Sequence, residues 1–192
     1  MQDLHVKTAI ISNQGENSEN YIKFKKIVKE KQIKVLIIGQ GDSLKIEDNI
    51  YFDFLWPNKS KIVRENVLNN NSIVCKLRYK NFSMLFSGDI EEIAEKEILK
   101  QYKNNVQVLN STILKVGHHG SKTSSTQNFI EAVNPQIVLI GVGENNKFGH
   151  PNESVIERLE LLGSKIYRTD KMGEISVEID KKGKIRVKKF IQ

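Results

Sequence analysis

The spacing of hydrophobic residues divides the chain into two parts that predict different arrangements of strands. In the first part, short apolar runs separated by polar turns predict strands at 33–38, 50–56, 73–79 and 82–87. The last two flank the turn at 80–81, which predicts an antiparallel hairpin. An antiparallel sheet is therefore expected in this part of the chain.

Strands and helices alternate in the second part. Strands are predicted at 112–116, 136–140 and 165–168, with helices at 127–133 and 153–162 between them. Such alternation indicates parallel strands with helical crossovers, so the fold class expected is α/β (α+β). The remaining predicted elements are strands at 6–11, 42–45, 174–179 and 184–190 and helices at 21–31 and 90–102.

Three polar loops that contain glycine each follow directly on a predicted strand. They are "SGDIEE" after 82–87, "GHHGSKTSS" after 112–116 and "GVGENNKFGHP" after 136–140. Binding sites of α/β sheets form at the carboxyl ends of strands. The three loops are therefore expected to bring Asp89, the His118–His119 pair and His150 to one rim of the sheet.

Each of these residues also has a purely structural interpretation. Asp89 with Glu92 matches the capping pattern of a helix N-terminus, and His150 lies where Pro151 or Asn152 can begin a helix. The histidine pair could be part of an ordinary polar loop. Imidazole and carboxylate together, however, suit zinc or manganese, and imidazole is the usual acid or base near neutral pH.

Composition narrows the function classes only a little. A net charge of +7 favours anionic partners such as nucleic acid, although a solvated lysine-rich surface produces the same balance. The single cysteine, Cys75, excludes a disulfide within the chain and a cysteine-based zinc site. The sequence shows no signal-peptide pattern and no apolar run long enough to span a bilayer.

The loop motifs together resemble a known family. The segments 69–99, 113–159 and 167–180, with "SGD", "HHGS", "FGHP" and "RTD-x-x-G" in that order, are similar to the metallo-β-lactamase-fold domain of ComEC-type competence proteins, which act in DNA uptake. The resemblance covers 66 to about 180 closely and the first 40 residues weakly. It implies one domain over 1–192, an αββα sandwich with a dinuclear metal site at one edge.

The resemblance also implies roles for individual residues. Asp89 corresponds to the aspartate that bridges two metal ions, and His118 to a late histidine ligand, with His119 as the alternative. His119, Ser121 and His150 would then face the substrate or support the ligands. The implied reaction is metal-assisted hydrolysis with two zinc or manganese ions, and the implied substrate is DNA that is degraded during uptake.

One departure from the family pattern changes this expectation. The motif H-x-H-x-D-H, which supplies most of the family's metal ligands, does not occur, and the only histidine before His118 is His5. We therefore expect the C-terminal portion of an N-terminally truncated domain, with a partial and inactive site and weak or absent metal binding. Self-association through uncovered apolar surface is a further expectation.

Two questions stay open at the level of sequence. If the chain is part of a longer protein, the parent is expected to be an integral membrane protein with this domain outside the cytoplasm; otherwise a soluble cytoplasmic protein is expected. A degenerate module that binds nucleic acid or a partner protein is one alternative to the nuclease. A hydrolase of a small phosphodiester is another, because a fold does not determine the substrate.

Overall fold

The computed structural model describes residues 4–14 and 18–190, which form strands and helices in mixed order. The strands are β1 (Thr8–Ser12), β2 (Lys34–Ile38), β3 (Ser43–Glu47), β4 (Ile50–Trp56), β5 (Val74–Tyr79), β6 (Phe82–Phe86), β7 (Ile113–Lys115), β8 (Ile137–Ile140), β9 (Lys165–Arg168), β10 (Glu174–Ile179) and β11 (Ile185–Phe190). The helices are α1 (Glu19–Glu30), α2 (Val67–Asn70), α3 (Glu92–Gln101), α4 (Gln127–Val133), α5 (Glu153–Leu161) and α6 (Thr169–Met172), and 3-10 turns lie at Val106–Val108 and Gly117–Gly120.

The main sheet has seven strands in the order β3-β4-β5-β6-β7-β8-β9. Strands β3 to β6 pair antiparallel, whereas β6 to β9 pair parallel. The change of direction falls where the hydrophobic pattern changes, so the predicted antiparallel and alternating parts are confirmed. The α/β class is likewise confirmed.

The core lies between helices α3, α4 and α5 and the strands β6, β7 and β8. Apolar side chains from all six elements form one buried cluster. Leu85, Leu114 and Val138 face the helices from three adjacent strands, and Phe129 and Leu159 face the strands from α4 and α5; all five are fully or almost fully buried. This packing fixes the carboxyl ends of β6, β7 and β8 relative to one another.

Two small sheets lie outside the main one. Strands β1 and β2 pair parallel with α1 between them, and β10 pairs antiparallel with β11 across the predicted hairpin turn. The β1–β2 unit is poorly covered, because α1 has no buried residue and Ile37 of β2 is 60% exposed. No helix in the described ranges is long and apolar enough to cross a membrane.

Short helices are the elements that the hydrophobic pattern did not predict. Helix α2 lies in the polar segment 57–71, where no element was predicted, and α6 and the 3-10 turn at 117–120 follow closely on strands. A helix of one turn is too short to show a 3.6-residue period. The elements of the predicted set agree with the observed ones to within about two residues at most of their ends.

Candidate active site

Three loops meet at the carboxyl ends of the parallel strands β6, β7 and β8. The first loop carries Asp89, the second carries His118 and His119, and the third carries His150. Because β7 pairs with both β6 and β8, the histidine pair lies between the other two loops. The rim that the sequence predicted is therefore present in the structure.

The histidines of the second and third loops are in contact. The rings of His118 and His150 meet edge to face, with their centroids 5.8 Å apart. His119 and His150 both line an open cavity of about 400 Å³, and its other lining residues are Gly141, Val142, Gly143, Asn146, Phe148 and Thr169. The structure thus places two of the five predicted site residues on one cavity and a third, His118, in contact with one of them.

The backbone of the histidine loop is strained and fixed on both sides. His118 and His119 have left-handed φ angles of 46° and 56°, which costs on the order of 1–3 kcal/mol for each residue. The amide of His118 donates to the carbonyl of Gly88 (3.0 Å), and the amide of Asn152 donates to the carbonyl of Gly120 (2.8 Å). These bonds hold the second loop against the first and the third, which offsets the strain.

The tautomer of His119 follows from its hydrogen bond. Its Nδ1 lies 2.6 Å from the carbonyl oxygen of Gly141. Because a carbonyl oxygen only accepts, Nδ1 carries the proton and donates it. In the neutral ring, Nε2 is left with a free lone pair on this exposed side chain, so His119 can accept a proton or act as a ligand.

His118 lies beside a buried carboxylate that the sequence did not single out. Its Nδ1 is buried, has no hydrogen-bond partner and is 3.5 Å from Oε1 of Glu91. Glu91 is held by the side-chain amides of Asn66 (2.6 Å) and Asn70 (3.3 Å) and by the hydroxyl of Thr123 (3.0 Å). In the sequence, Glu91 looks like any acidic residue at the beginning of a helix, so no pattern could have identified it.

Ser121 belongs to the same polar network rather than to the wall of the cavity. Its side chain is almost fully buried, and its Oγ lies 3.0 Å from Oγ1 of Thr123, which in turn donates to Glu91. The backbone amide of Ser121 donates to the carbonyl of His118 (2.9 Å). The structure therefore connects Ser121 to His118 through the loop, and its role toward a substrate stays a prediction.

Asp89 does not cap a helix, so that interpretation is wrong. Helix α3 begins at Glu92, three residues further on, and Glu91 occupies the capping position without a side-chain cap bond. The amide of Asp89 donates to Oγ of Ser72 (2.9 Å), which fixes the backbone while the carboxylate stays partly exposed. The carboxylate of Asp89 is accordingly available for another task.

A lysine near Asp89 is a second group that sequence analysis missed. Burial lowers the pKa of Lys115, and the charge of Asp89 acts in the opposite direction. The Nζ of Lys115 also donates to the carbonyl of Val116 (3.0 Å). Lys115 thus supplies positive charge beside Asp89 at the edge of the site.

The surroundings of His150 favour its neutral form. Desolvation lowers its pKa, and the neighbouring His118 and His119 lower it further. Its backbone is clamped by Asn146, whose Oδ1 accepts from the amide of His150 (2.9 Å) and whose Nδ2 donates to the carbonyl of the same residue (2.7 Å). At neutral pH the ring is an acceptor as well as a donor of hydrogen bonds.

The described residues do not by themselves fit a metal centre. Asp89 and His118 would supply one carboxylate and one imidazole, whereas a catalytic zinc site usually has three protein ligands. No group of three or more His, Cys, Asp and Glu side chains in 4–14 and 18–190 is arranged to hold an ion. The buried, unbonded Nδ1 of His118 is nevertheless a ligand atom without a partner.

Two curated relatives match most of this chain. ComE operon protein 3 of Bacillus subtilis (strain 168) is 31% identical over 147 residues, which are 77% of this chain and 18% of that protein. Competence protein ComA of Neisseria gonorrhoeae is 33% identical over 147 residues, which are 74% of this chain and 20% of that protein. The chain therefore spans about a fifth of the length of these relatives. No family model matches the chain.

The fold recurs in a solved structure of very different sequence. A CmlA β-hydroxylase superposes with a TM-score of 0.50 at 10% identity, over 83% of this chain and 37% of that one. A putative zinc-dependent hydrolase of the metallo-β-lactamase superfamily from Thermotoga maritima superposes with a TM-score of only 0.35 at 10% identity, over 82% of this chain and 70% of that one, which is too loose to support an argument. The sequence relatives, the loop motifs and the architecture agree, and the chain belongs to the ComEC-like domains of metallo-β-lactamase fold.

Proposed function

We propose that this domain hydrolyses phosphodiester bonds of DNA during competence-related uptake. The observation that carries the proposal is the meeting of the two histidine loops, where His118 touches His150 and where His119 and His150 line one cavity. The names of the relatives, which are competence proteins, support the setting of DNA uptake. The activity of those whole proteins is extended to this chain only as part of the proposal.

The residues of the chain have distinct tasks in this proposal. His119 accepts a proton through its free Nε2, and His150 orients the substrate from within the same cavity. Lys115 contributes positive charge beside Asp89, where a phosphate oxygen gathers negative charge. Ser121 acts indirectly, because its hydroxyl holds Thr123 and thereby Glu91 and His118 in position.

The proposed cofactor is a pair of zinc or manganese ions that needs more ligands than this sequence contains. Asp89 and His118 would provide two of them, and an H-x-H-x-D-H segment, absent from the 192 residues, would provide the others. Bound ions of this kind make water a nucleophile at neutral pH. We propose that the segment comes from a longer protein of the ComEC type, which would be anchored in a membrane with this domain outside the cytoplasm.

The test is a cleavage assay on a chimera in which an H-x-H-x-D-H segment from a ComEC-type domain precedes residue 1. We expect metal-dependent cleavage of single-stranded DNA, with at least about 100-fold lower rates for Asp89→Asn and His118→Ala. His5→Ala is the matched control, since His5 is exposed and lies outside the three loops. Unchanged cleavage in both site variants would exclude the proposed roles.

A second candidate is a module that binds nucleic acid without cleaving it, and the β10–β11 hairpin favours it. Its turn and second strand, 180–189, carry six basic residues, Lys181, Lys182, Lys184, Arg186, Lys188 and Lys189. Glu178 pairs with Lys188 and Arg186, whereas the other four make no ion pair with a described residue. This patch predicts an affinity for DNA that falls steeply with salt.

Substitution of the four unpaired lysines by glutamine should reduce both the affinity for DNA and its dependence on salt. Under this second candidate, DNA cleavage should be absent in the wild type and in the chimera.

A further inference from the structure

The third loop presents an aromatic ring to solvent beside the histidines. Phe148 is 82% exposed, although most aromatic side chains in the described ranges are partly or fully buried. Scattered apolar residues on a surface need no explanation. Phe148 differs from such residues because it lines the cavity together with His119 and His150.

The loop holds this ring in a defined place without burying it. The side chain of Asn146 bonds to the amide and the carbonyl of His150 and also donates to the carbonyl of Gly143 (3.1 Å). Gly149 has a φ angle of +67°, which lets the chain turn between Phe148 and His150. A ligand that binds to Phe148 therefore meets a preorganised loop and loses little affinity to its ordering.

The Phe148 ring lies beside that of His150 and stays open to solvent. The ring is nearly parallel to that of His150, with an angle of 18° and centroids 5.9 Å apart. His150 in turn meets the ring of His118. The three rings lie in the order Phe148, His150 and His118. A planar group that binds to the exposed face of Phe148 is therefore next to the histidines at the rim of the sheet.

Charge favours a nucleotide as the planar group. Lys147, next to Phe148, is exposed and makes no ion pair with any described residue, and the chain as a whole carries a net charge of +7. An aromatic ring with a cation beside it suits a base and its phosphate, as in proteins that bind single strands. An aliphatic ligand would gain nothing from a flat, parallel stack.

We propose that Phe148 stacks on a nucleobase of single-stranded DNA and so positions the neighbouring phosphate at His119 and His150. This inference rests on the proposed action on DNA and adds a residue that selects an unpaired base next to the site. In a duplex the faces of the bases are covered by their neighbours, so Phe148 engages only a strand that is open.

The experiment compares two fluorescent oligonucleotides of equal length, one with bases and one abasic, by anisotropy at low salt. Wild type should bind the strand with bases at least about fivefold more tightly than the abasic strand. Phe148→Ala should remove this difference and leave the affinity for the abasic strand unchanged, and Phe148→Trp should keep it. Leu161→Ala, which removes a side chain that is 84% exposed on α5, is the matched control and should have no effect.

The results that would contradict the stacking role can be told apart from those that would contradict the action on DNA. Equal affinity of wild type for the two strands, or an unchanged difference in Phe148→Ala, overturns the stacking role and leaves the proposed action on DNA in place. A Phe148→Ala variant that loses affinity for both strands equally shows a structural effect and also overturns it. If wild type binds neither strand at low salt, the stacking role and the proposed action on DNA both fail. If Phe148→Ala alters only self-association in light scattering, the ring covers a second copy of the chain instead.

Discussion

The ring of His118 meets the ring of His150 at a centroid distance of 5.8 Å, although the two residues belong to different loops and follow different strands. Gly120 of the second loop and Pro151 of the third also approach each other closely. The second and third loops are therefore packed against each other. Substitutions of single residues can test this packing.

The close approach at Gly120 predicts a large effect of a single methyl group. In Gly120→Ala the new Cβ would lie 2.6 Å from Cβ of Pro151, at a φ angle of +82°. We expect a loss of about 3 kcal/mol in the free energy of unfolding, measured in urea. The control is Gly163→Ala, with a φ angle of +78° and open space around it, which should cost only about 1 kcal/mol. Equal losses would show that the two loops are not packed as described.

Glu95 is predicted to be essential for the loop that follows the histidines. Its side chain is completely buried, and it accepts hydrogen bonds from the amides of Ser125 and Thr126 and from the hydroxyl of Thr126. Burial raises the pKa of this carboxyl, and the hydrogen bonds oppose that effect. Glu95→Ala leaves the donors without partners and should lower the free energy of unfolding by about 2–4 kcal/mol.

The control for Glu95 is a neighbour on the same helix. The side chain of Glu92 is 53% exposed and pairs with Lys96 one turn later. Glu92→Ala should therefore change the free energy of unfolding by about 0.5 kcal/mol or less. A Glu95→Ala variant as stable as this control would contradict the buried network.

The thiol of Cys75 is predicted to be unreactive at mild pH. Burial raises its pKa to about 11, so the thiol stays protonated in the folded chain while the thiol of the unfolded chain ionises as pH rises past about 9. At pH 8, alkylation of the folded protein should be on the order of 100-fold slower than that of the unfolded protein. The folded state should also lose stability relative to Cys75→Ala as the pH increases from 9 to 11. Equal alkylation rates in the presence and absence of denaturant would disprove the burial of the Cys75 thiol.

The exposed face of the β1–β2 unit predicts self-association. Ile22 of α1 and Ile37 of β2 are 54% and 60% exposed, and the two parallel strands have no further strand beside them in the described chain. Parallel strands are normally covered on both faces. Light scattering should show a mass that increases with concentration and that returns to the monomer value in Ile22→Lys or Ile37→Lys. Val106→Lys, at a 41% exposed position on a 3-10 turn, is the control. A monodisperse wild-type monomer would rule out this prediction.

The strands of the sheet, and the position of the candidate residues at one of its edges, could be predicted because both follow from local sequence patterns. Apolar runs such as 73–79 and 82–87 have the right length for strands, and a two-residue turn joins them only as a hairpin. The position of Asp89, His118 and His150 at one rim followed from parallel strands, whose carboxyl ends must lie together. Recognition of the motifs added the fold family, which the comparisons confirmed.

The contacts within the rim could not be predicted because their causes are tertiary. Glu91 accepts from Asn66 and Asn70, which lie at the two ends of the short helix α2, more than 20 residues away in the sequence. Phe148 is fixed in solvent only because Asn146 closes its loop. The helix-cap interpretation of Asp89 failed because α3 begins at Glu92, where the amide of that residue bonds to the carbonyl of Thr123. None of these pairings is encoded in spacing along the chain.

Metal content tests the central claim most directly, namely that Asp89 and His118 are part of a metal site that needs further ligands. Two protein ligands are fewer than a catalytic site usually has. Elemental analysis after dialysis against zinc or manganese should find far less than one ion per chain for the 192-residue protein. The chimera with an H-x-H-x-D-H segment should hold two ions, and Asp89→Asn should reduce that number. One or two tightly held ions in the 192-residue protein itself, or a chimera that gains none, would contradict the account.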